Sequence, residues 1–509
     1  MSGLPEEPKL NKGFPMSTVD PQTRSLAHEI AQPDPRRWRA LAVLGLIQFM
    51  LILDVTVVNV ALPRIQHELG FSRPGLAWVV DGYVLMAGGL LLLGGRLADV
   101  FGRRRLFLVG VAVFALASAA CGAAVAPGML VASRFVQGAG EALAAPASLG
   151  LIALLFPDPR ERMKALGIWG GIAGLGGTSG TVISGALTDL ASWRWIFYIN
   201  LPIALFALLI VPRLVSESRM VREHHRVAFT GAITGTGGLV AIVYGLLQAA
   251  SHPWGSWQVL LPLLGGAGLA AAMVAVEARS PAPLIPLRFF TNRTRVVANV
   301  AALLFSSAFF TYFFLLTLFQ QQVLGYSPLK GGLSYLPFGI GIGAGIGIST
   351  ALMPRLGVRP LLSAGFLGAA AGLLMTSWIH VGTSYVGGVL PGMIVLGVFS
   401  GLTFPAATNA ALHQVTGQDA SLASGVQTAM QAIGGALGLA LLVTIALRHA
   451  AGQIRDGVLP AVAATHGYAL SFRIGAALLA AGGVGVMVLL EHVTAQPRSP
   501  LAEISPDGR

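Results

Sequence analysis

Four charged side chains stand where charge is expensive. Asp54, Asp81, Arg134 and Glu141 lie inside long apolar runs, and an ionisable group there faces a cavity or a partner rather than lipid. Asp54 is about eight residues from one end of its run, ~12 Å deep at helical rise, and Arg134 is about five residues in from the same surface, ~8 Å. Asp81 sits at a similar depth. Two acids and one base at one level predict a buried pair or triad. Such a group can exchange a proton if its surroundings tune the acid's proton affinity, which makes Asp54, Arg134 and Asp81 candidates for proton coupling. A purely structural salt bridge is the competing reading. Glu141 follows Arg134 by seven residues, on the same helix face and near the midplane, where an acid suits a cationic substrate or a proton; a hydrogen-bonded packing role is its alternative. Phe305, Phe309, Tyr312, Leu316 and Gln320 recur at helical spacing, and Gln427 and Gln431 form an i, i+4 pair. Aromatic rings with few hydrogen-bonding groups suit bulky amphipathic or cationic molecules, against ordinary helix packing.

These side chains are carried by a chain built for a bilayer. Of 509 residues, 54% are hydrophobic and 11% charged, well below the roughly one quarter charged in soluble domains. Apolar runs fall at 40–62, 76–95, 106–126, 129–153, 163–187, 196–214, 229–248, 257–277, 296–323, 331–353, 360–379, 385–411, 421–446 and 470–490. Most are about 20 residues or longer, as a ~30 Å hydrocarbon core requires. The expectation is an all-α polytopic membrane protein with fourteen spans. An even number puts both termini on one side. Residues 1–39 read as a polar, disordered tail that lacks the apolar core of a signal peptide, and 491–509 as a second tail.

The net charge of +12 could point to nucleic acid, so its distribution decides. Loops assigned to the cytoplasmic side carry seventeen Lys and Arg against seven outside, a positive-inside bias that accounts for the basicity without nucleic acid and places both termini in the cytoplasm. Four of the seventeen lie in Gly94-Gly95-Arg96-Leu97-Ala98-Asp99-Val100-Phe101-Gly102-Arg103-Arg104-Arg105. Its glycines let helix ends approach, and Asp99 can pair with arginine or cap a helix. Leu352-Met353-Pro354-Arg355-Leu356-Gly357-Val358-Arg359 aligns with Leu97–Arg104 at an offset of 255 residues, keeping Leu, Gly and the second Arg. A half-length duplication predicts two bundles with a substrate site between them.

The loop resembles the signature loop of the major facilitator superfamily in Gly95, Leu97, Asp99, Gly102, Arg103 and Arg104, with Val100 where a basic residue is usual. Leu53-Asp54-Val55-Thr56-Val57-Val58-Asn59-Val60-Ala61-Leu62-Pro63, Arg134-Phe135-Val136-Gln137-Gly138-Ala139-Gly140 and Trp193-Arg194-Trp195-Ile196-Phe197-Tyr198-Ile199-Asn200-Leu201-Pro202 are similar to motifs of its fourteen-helix drug:proton antiporter branch. The antiporter motif is matched incompletely: Gly170–Gly180 has the glycine density, but Gly180-Thr181 and Ser184-Gly185 stand where Gly-Pro and Gly-Gly are usual. The glycine pairs also read as small-xxx-small packing. The resemblance implies the major facilitator fold in a 6 + 2 + 6 plan: bundles at 40–214 and 296–490 around two inserted spans at 229–277.

It further implies a secondary active exporter of drugs or other amphipathic small molecules by proton antiport and alternating access. The signature loop, through Gly95, Asp99, Gly102, Arg103 and Arg104, would act as the conformational switch. A proton-coupled uptake symporter and a dedicated antibiotic or metabolite exporter of the same fold are the alternatives. Expected partners are small amphipathic or cationic substrates, protons and the lipid bilayer of the cell membrane, with the chain acting as a monomer. No cofactor or metal is expected. The four lysines include none in a P-loop, no HExxH, CxxC or GxSxG occurs, and the single cysteine, Cys121, lies in an apolar run, so neither ATP-driven transport nor a membrane enzyme is supported.

Overall fold

A computed structural model describes residues 36–217, 229–280, 283–285, 287–411 and 420–491. Residues 1–35 and 492–509 of the expected tails therefore lie outside the described residues, and Arg37–Arg39 are already helical.

The described chain is helical, with no strand. The spanning helices are α1 (Arg37–Leu69), α2 (Gly75–Phe101), α3 (Arg103–Gly122), α4 (Pro127–Leu155), α5 (Pro159–Leu190), α6 (Trp195–Leu214) and α7 (Phe229–Gln248). They continue with α8 (Trp257–Arg279), α9 (Arg293–Val323), α10 (Pro328–Leu356), α11 (Val358–Thr376), α12 (Tyr385–Ala411), α13 (Ala420–Arg455) and α14 (Pro460–Leu489). Among the described residues thirteen helices are long and apolar enough to cross a membrane; α5, 32 residues long, is the fourteenth, its apolarity diluted by glycine and hydroxyl residues.

Several helices outrun the apolar segments that predict them. α1 continues past residue 62 to Leu69 and stops where Gly70 takes φ 70° and donates to Gln66 O. α14 begins at Pro460 rather than at 470, because Pro at the first helical position leaves no lost hydrogen bond and residues 460–469 are helical without being strongly apolar. Hydropathy finds the part in lipid, not the whole helix.

The duplication is visible in packing. α1 packs on α5 and α6, α2 on α4, and α3 on α4 and α6; adding eight to each label gives the partners in the second half, α9 with α13 and α14, α10 with α12, and α11 with α12 and α14. Both repeated loops turn on a glycine that an L side chain would disfavour: Gly102 has φ 104° and donates to Ala98 O, and Gly357 has φ 78° and donates to Met353 O at the aligned position. The second arginine repeats its job as well. Arg104 reaches Val215 O (3.0 Å) at the end of α6, and Arg359 bonds Met487 O near the end of α14.

The halves meet along two flanks related by the same repeat, α2 with α13 and α5 with the first turns of α10. At two points on the second flank backbone meets backbone. A Cβ at Gly332 would stand 2.2 Å from Thr181 O, and one at Gly185 2.6 Å from Pro328 O. At the same end, far from Asp99, Gln321 Nε2 donates to Val60 O (2.7 Å). The inserted helix α7 lies against both α2 and α13, with α8 packed on α7. Arg448 of α13 ties the α7–α8 turn through Ala249 O (2.8 Å) and His252 O (2.9 Å).

Candidate functional site

Asp54, on α1, is fully buried and makes three hydrogen bonds. Its Oδ2 accepts from Arg134 Nη1 of α4 (2.5 Å). Its Oδ1 accepts from Gln137 Nε2 of α4 and Asn200 Nδ2 of α6, both at 2.8 Å. Arg134 is equally occupied: Nη1 also donates to Gln137 Oε1 (2.7 Å) and Nε to Val79 O of α2 (2.8 Å). Its guanidinium lies 4.1 Å from the Tyr83 ring centroid. Ser118 on α3 accepts from Asn200 (3.0 Å) and donates to Phe197 O (2.9 Å). Five helices thus converge on one ion pair in the first half, and a dry charge pair is tolerable when its hydrogen-bonding capacity is filled in this way.

The convergence depends on close backbones. A Cβ on Gly138 would stand 2.3 Å from Tyr83 O, and one on Gly94 1.9 Å from Ala142 O, so α2 and α4 touch along their length. Sequence reasoning singles out Asp54 and Arg134 but not Ser118, Gln137, Asn200 or Tyr83. Gln137 and Asn200 stand inside the motif segments, and an uncharged polar residue in an apolar run is the signal that could have found them.

Asp81 does not join the pair. It is fully buried on α2 with neither carboxylate oxygen hydrogen-bonded, so of the pair or triad predicted at one depth this structure holds the pair: Arg134 directs its Nε to the Val79 carbonyl of α2. Glu141 is half-buried, beside Tyr83 and within electrostatic range of Arg134 and Asp54.

The aromatic stripe of α9 turns mostly into its own bundle. Phe305 packs on Phe366 and Phe404, and Phe309 on Phe338 and Phe404. Tyr312 is fully buried against Phe472, and Gln320 is fully buried with its Oε1 accepting from Ser334. Both are corrections to the expected pocket lining in this conformation, because a stripe's periodicity fixes a shared face and not the neighbour it meets. Gln427 is buried, while Gln431 and Phe309 are half-buried.

In the basic loop Arg103 binds Asp99 Oδ1 through Nη2 (3.0 Å) and Gly150 O through Nη1 (3.1 Å), joining the ends of α2, α3 and α4. The Glu217 carboxylate accepts from the backbone N–H groups of Arg104 (3.2 Å) and Arg105 (3.1 Å), capping α3 where its unpaired donors point. Gly95 is not tightly placed: a Cβ there would lie 3.7 Å from Pro146 Cβ, an ordinary contact, so the close approach belongs to Gly94.

Duplicated six-helix bundles that enclose a buried charge network and meet along two helix flanks define a polytopic membrane transporter of two pseudo-repeated halves. A family model described as Major Facilitator Superfamily matches residues 44–439, and the chain belongs to that superfamily. It is 41% identical over 458 residues to the puromycin resistance protein pur8 of Streptomyces alboniger, covering 88% of this chain and 91% of that one. To the lincomycin resistance protein of Streptomyces lincolnensis it is 39% identical over 424 residues, covering 83% and 87%. Among solved structures, a bacterial homolog of the human lysosomal transporter Spinster, inward-facing and occupied, superposes with TM-score 0.61 at 17% identity, covering 92% of this chain and 100% of that chain, which speaks to the fold alone.

Proposed function

We propose that the chain is a secondary active exporter of small amphipathic or cationic molecules, antibiotics among them, driven by proton antiport. The relatives named for resistance to puromycin and lincomycin support export of such compounds. The observation that carries the proton part is the Asp54–Arg134 pair, sealed from water yet built from an acid and its counter-ion. A gradient shifts a conformational equilibrium only through a group that binds the proton differently in the two states. Opening the first half would hydrate or loosen Arg134, and Asp54 would then take a proton from outside and release it inside. In this reading the bundles at 40–214 and 296–490 rock about their flanks, the Asp99–Arg103–Gly150 contact latches the cytoplasmic end, and Glu141 meets the cation.

The test is transport of puromycin and ethidium by everted vesicles carrying the chain, with an imposed pH gradient. The reading expects uphill accumulation that a protonophore collapses. Accumulation only in right-side-out vesicles would instead make it an uptake symporter, and no gradient-dependent movement in either orientation would end the transporter reading.

A further inference from the structure

Tyr83 stands between two charges and answers to neither motif. It is buried on α2, with the Arg134 guanidinium over its ring at 4.1 Å, a geometry in which a desolvated cation is held by the ring's π density. Its hydroxyl end is beside the Glu141 carboxyl. Neither the Tyr83 hydroxyl nor Glu141 Oε2 completes a hydrogen bond, although both atoms are buried. Two buried polar atoms that lie together and have no other partner form a bond on a small movement, since leaving both bare is unfavourable. The height of the ring is fixed independently: Gly138 lets α4 rest on the Tyr83 carbonyl one turn before Glu141.

The groups around Glu141 divide by access. Arg134 on its own helix, Asp54 from α1, Tyr83 from α2 and Cys121 from α3 are buried; α5 carries no titratable side chain between Lys164 and Asp189. Glu141 alone among them is half-buried, although its Oε2 is covered, which makes it the more accessible of the two acids.

We propose that Tyr83 is a positioning residue that makes the occupancy of Glu141, by a proton or by a cationic substrate, felt at the Asp54–Arg134 pair. The inference rests on the exporter reading above. With Glu141 ionised, the Tyr83 hydroxyl donates to the carboxylate, which enriches the ring and strengthens its hold on Arg134. When hydronium passes a proton to Glu141, its O–H bond breaks and leaves water while an O–H bond forms on the carboxyl; the hydroxyl gives up its role as donor there and the ring loosens on Arg134. A bound cation draws on the same carboxylate. The phenol keeps its own proton throughout, and Glu141 alone gains or loses one.

Tyr83→Phe keeps the ring over Arg134 and removes only the hydroxyl; Tyr83→Leu removes both. The full-length protein in liposomes is treated with dicyclohexylcarbodiimide, which couples to protonated carboxyls in apolar surroundings, and Glu141 modification is read by mass spectrometry across a pH series. Ethidium export is followed in parallel. Tyr83→Phe should raise the labelling midpoint by about one to two pH units, the size set by one hydrogen bond to a charged group, and displace the export profile in the same direction. Tyr83→Leu should lose export roughly tenfold or more. In a Glu141→Gln background Tyr83→Phe should leave the export profile where Glu141→Gln alone puts it. An unshifted labelling midpoint in Tyr83→Phe, or a further shift in the Glu141→Gln background, overturns the proposal. If wild type exports nothing but the labelling midpoint moves, the exporter reading fails while the Tyr83–Glu141 linkage holds.

Discussion

Neutralising Asp54 should show how much of the first half leans on one charge pair. In Asp54→Asn the retained oxygen can still accept from Gln137 and Asn200, both of which bond Oδ1. The lost oxygen is the one facing Arg134, so an amide donor would confront a guanidinium donor at the closest contact in the network. Removing one partner of a buried pair costs about 3–5 kcal/mol, because the other charge stays buried. Here the Val79 carbonyl, the Gln137 side-chain carbonyl and the Tyr83 ring remain to Arg134, which puts the expected loss near the lower end, ~3 kcal/mol. Arg134→Gln should cost a similar amount, and the two together less than their sum, since neutral replacement of both partners removes the stranded charge. Cys121 makes the measurement direct. It is the single cysteine, it is buried, and its Sγ lies 3.6 Å from Gln137 Oε1, so a fluorogenic maleimide reports opening of this network as SDS is titrated into dodecyl maltoside micelles. Simple additivity of the two substitutions would refute the coupling. So would a labelling curve for Asp54→Asn that overlays the wild type. In everted vesicles the same variant should bind substrate and fail to pump it uphill; wild-type pumping would move the coupling site to Glu141 or Asp81.

Asp99→Asn should change stability by less than about 1 kcal/mol, because the Asp99–Arg103 pair is partly solvated, yet slow transport several-fold or more if the contact latches one conformation; normal efflux at matched protein levels would remove the loop from the switch. Glu141→Gln should weaken binding of ethidium roughly tenfold or more while sparing the neutral drug chloramphenicol, and equal losses for the two in equilibrium binding would return Glu141 to packing. Gly94→Ala should lower the yield of folded protein, since its Cβ would lie 1.9 Å from a backbone oxygen, whereas Gly95→Ala should be tolerated at 3.7 Å from a proline side chain; size-exclusion profiles of the two in detergent make the comparison.

Sequence carries the spans because lipid imposes one rule on every segment that crosses it, and it carries the basic loop because arginine is sorted by side. The duplication is legible for a further reason: Gly102 and Gly357 are held by backbone geometry, and Arg104 and Arg359 by a carbonyl at the end of a sixth helix, so both survive where Asp99 and Pro354 diverge. The polar network is only half legible. Asp54 and Arg134 announce themselves by charge, whereas Ser118 and Asn200 matter because α3 and α6 happen to face the same point, and no one-dimensional spacing contains that. Tyr312 and Gln320 mark the opposite case. Their spacing with Phe305 and Phe309 does mark one face of a helix, and that face is buried in its own bundle. Gly94 rather than Gly95 carries the tight approach for the same reason: which of two adjacent glycines meets a neighbour depends on a rotation of about 100° that the neighbour decides.

The contact between α5 and α10 has a kinetic meaning. Interlocked side chains must leave their rotamer wells before two helices can separate, and each adds roughness to the path. At Gly185 and Gly332 backbone meets backbone, with no side chain of the glycine's own to interlock. Such a seal is tight by dispersion while closed and has little to unhook when it parts, so the pace of its opening falls to whatever wets the widening gap. In the proposed exporter cycle, resistance to opening would then fall on the charged groups deeper in rather than on this rim.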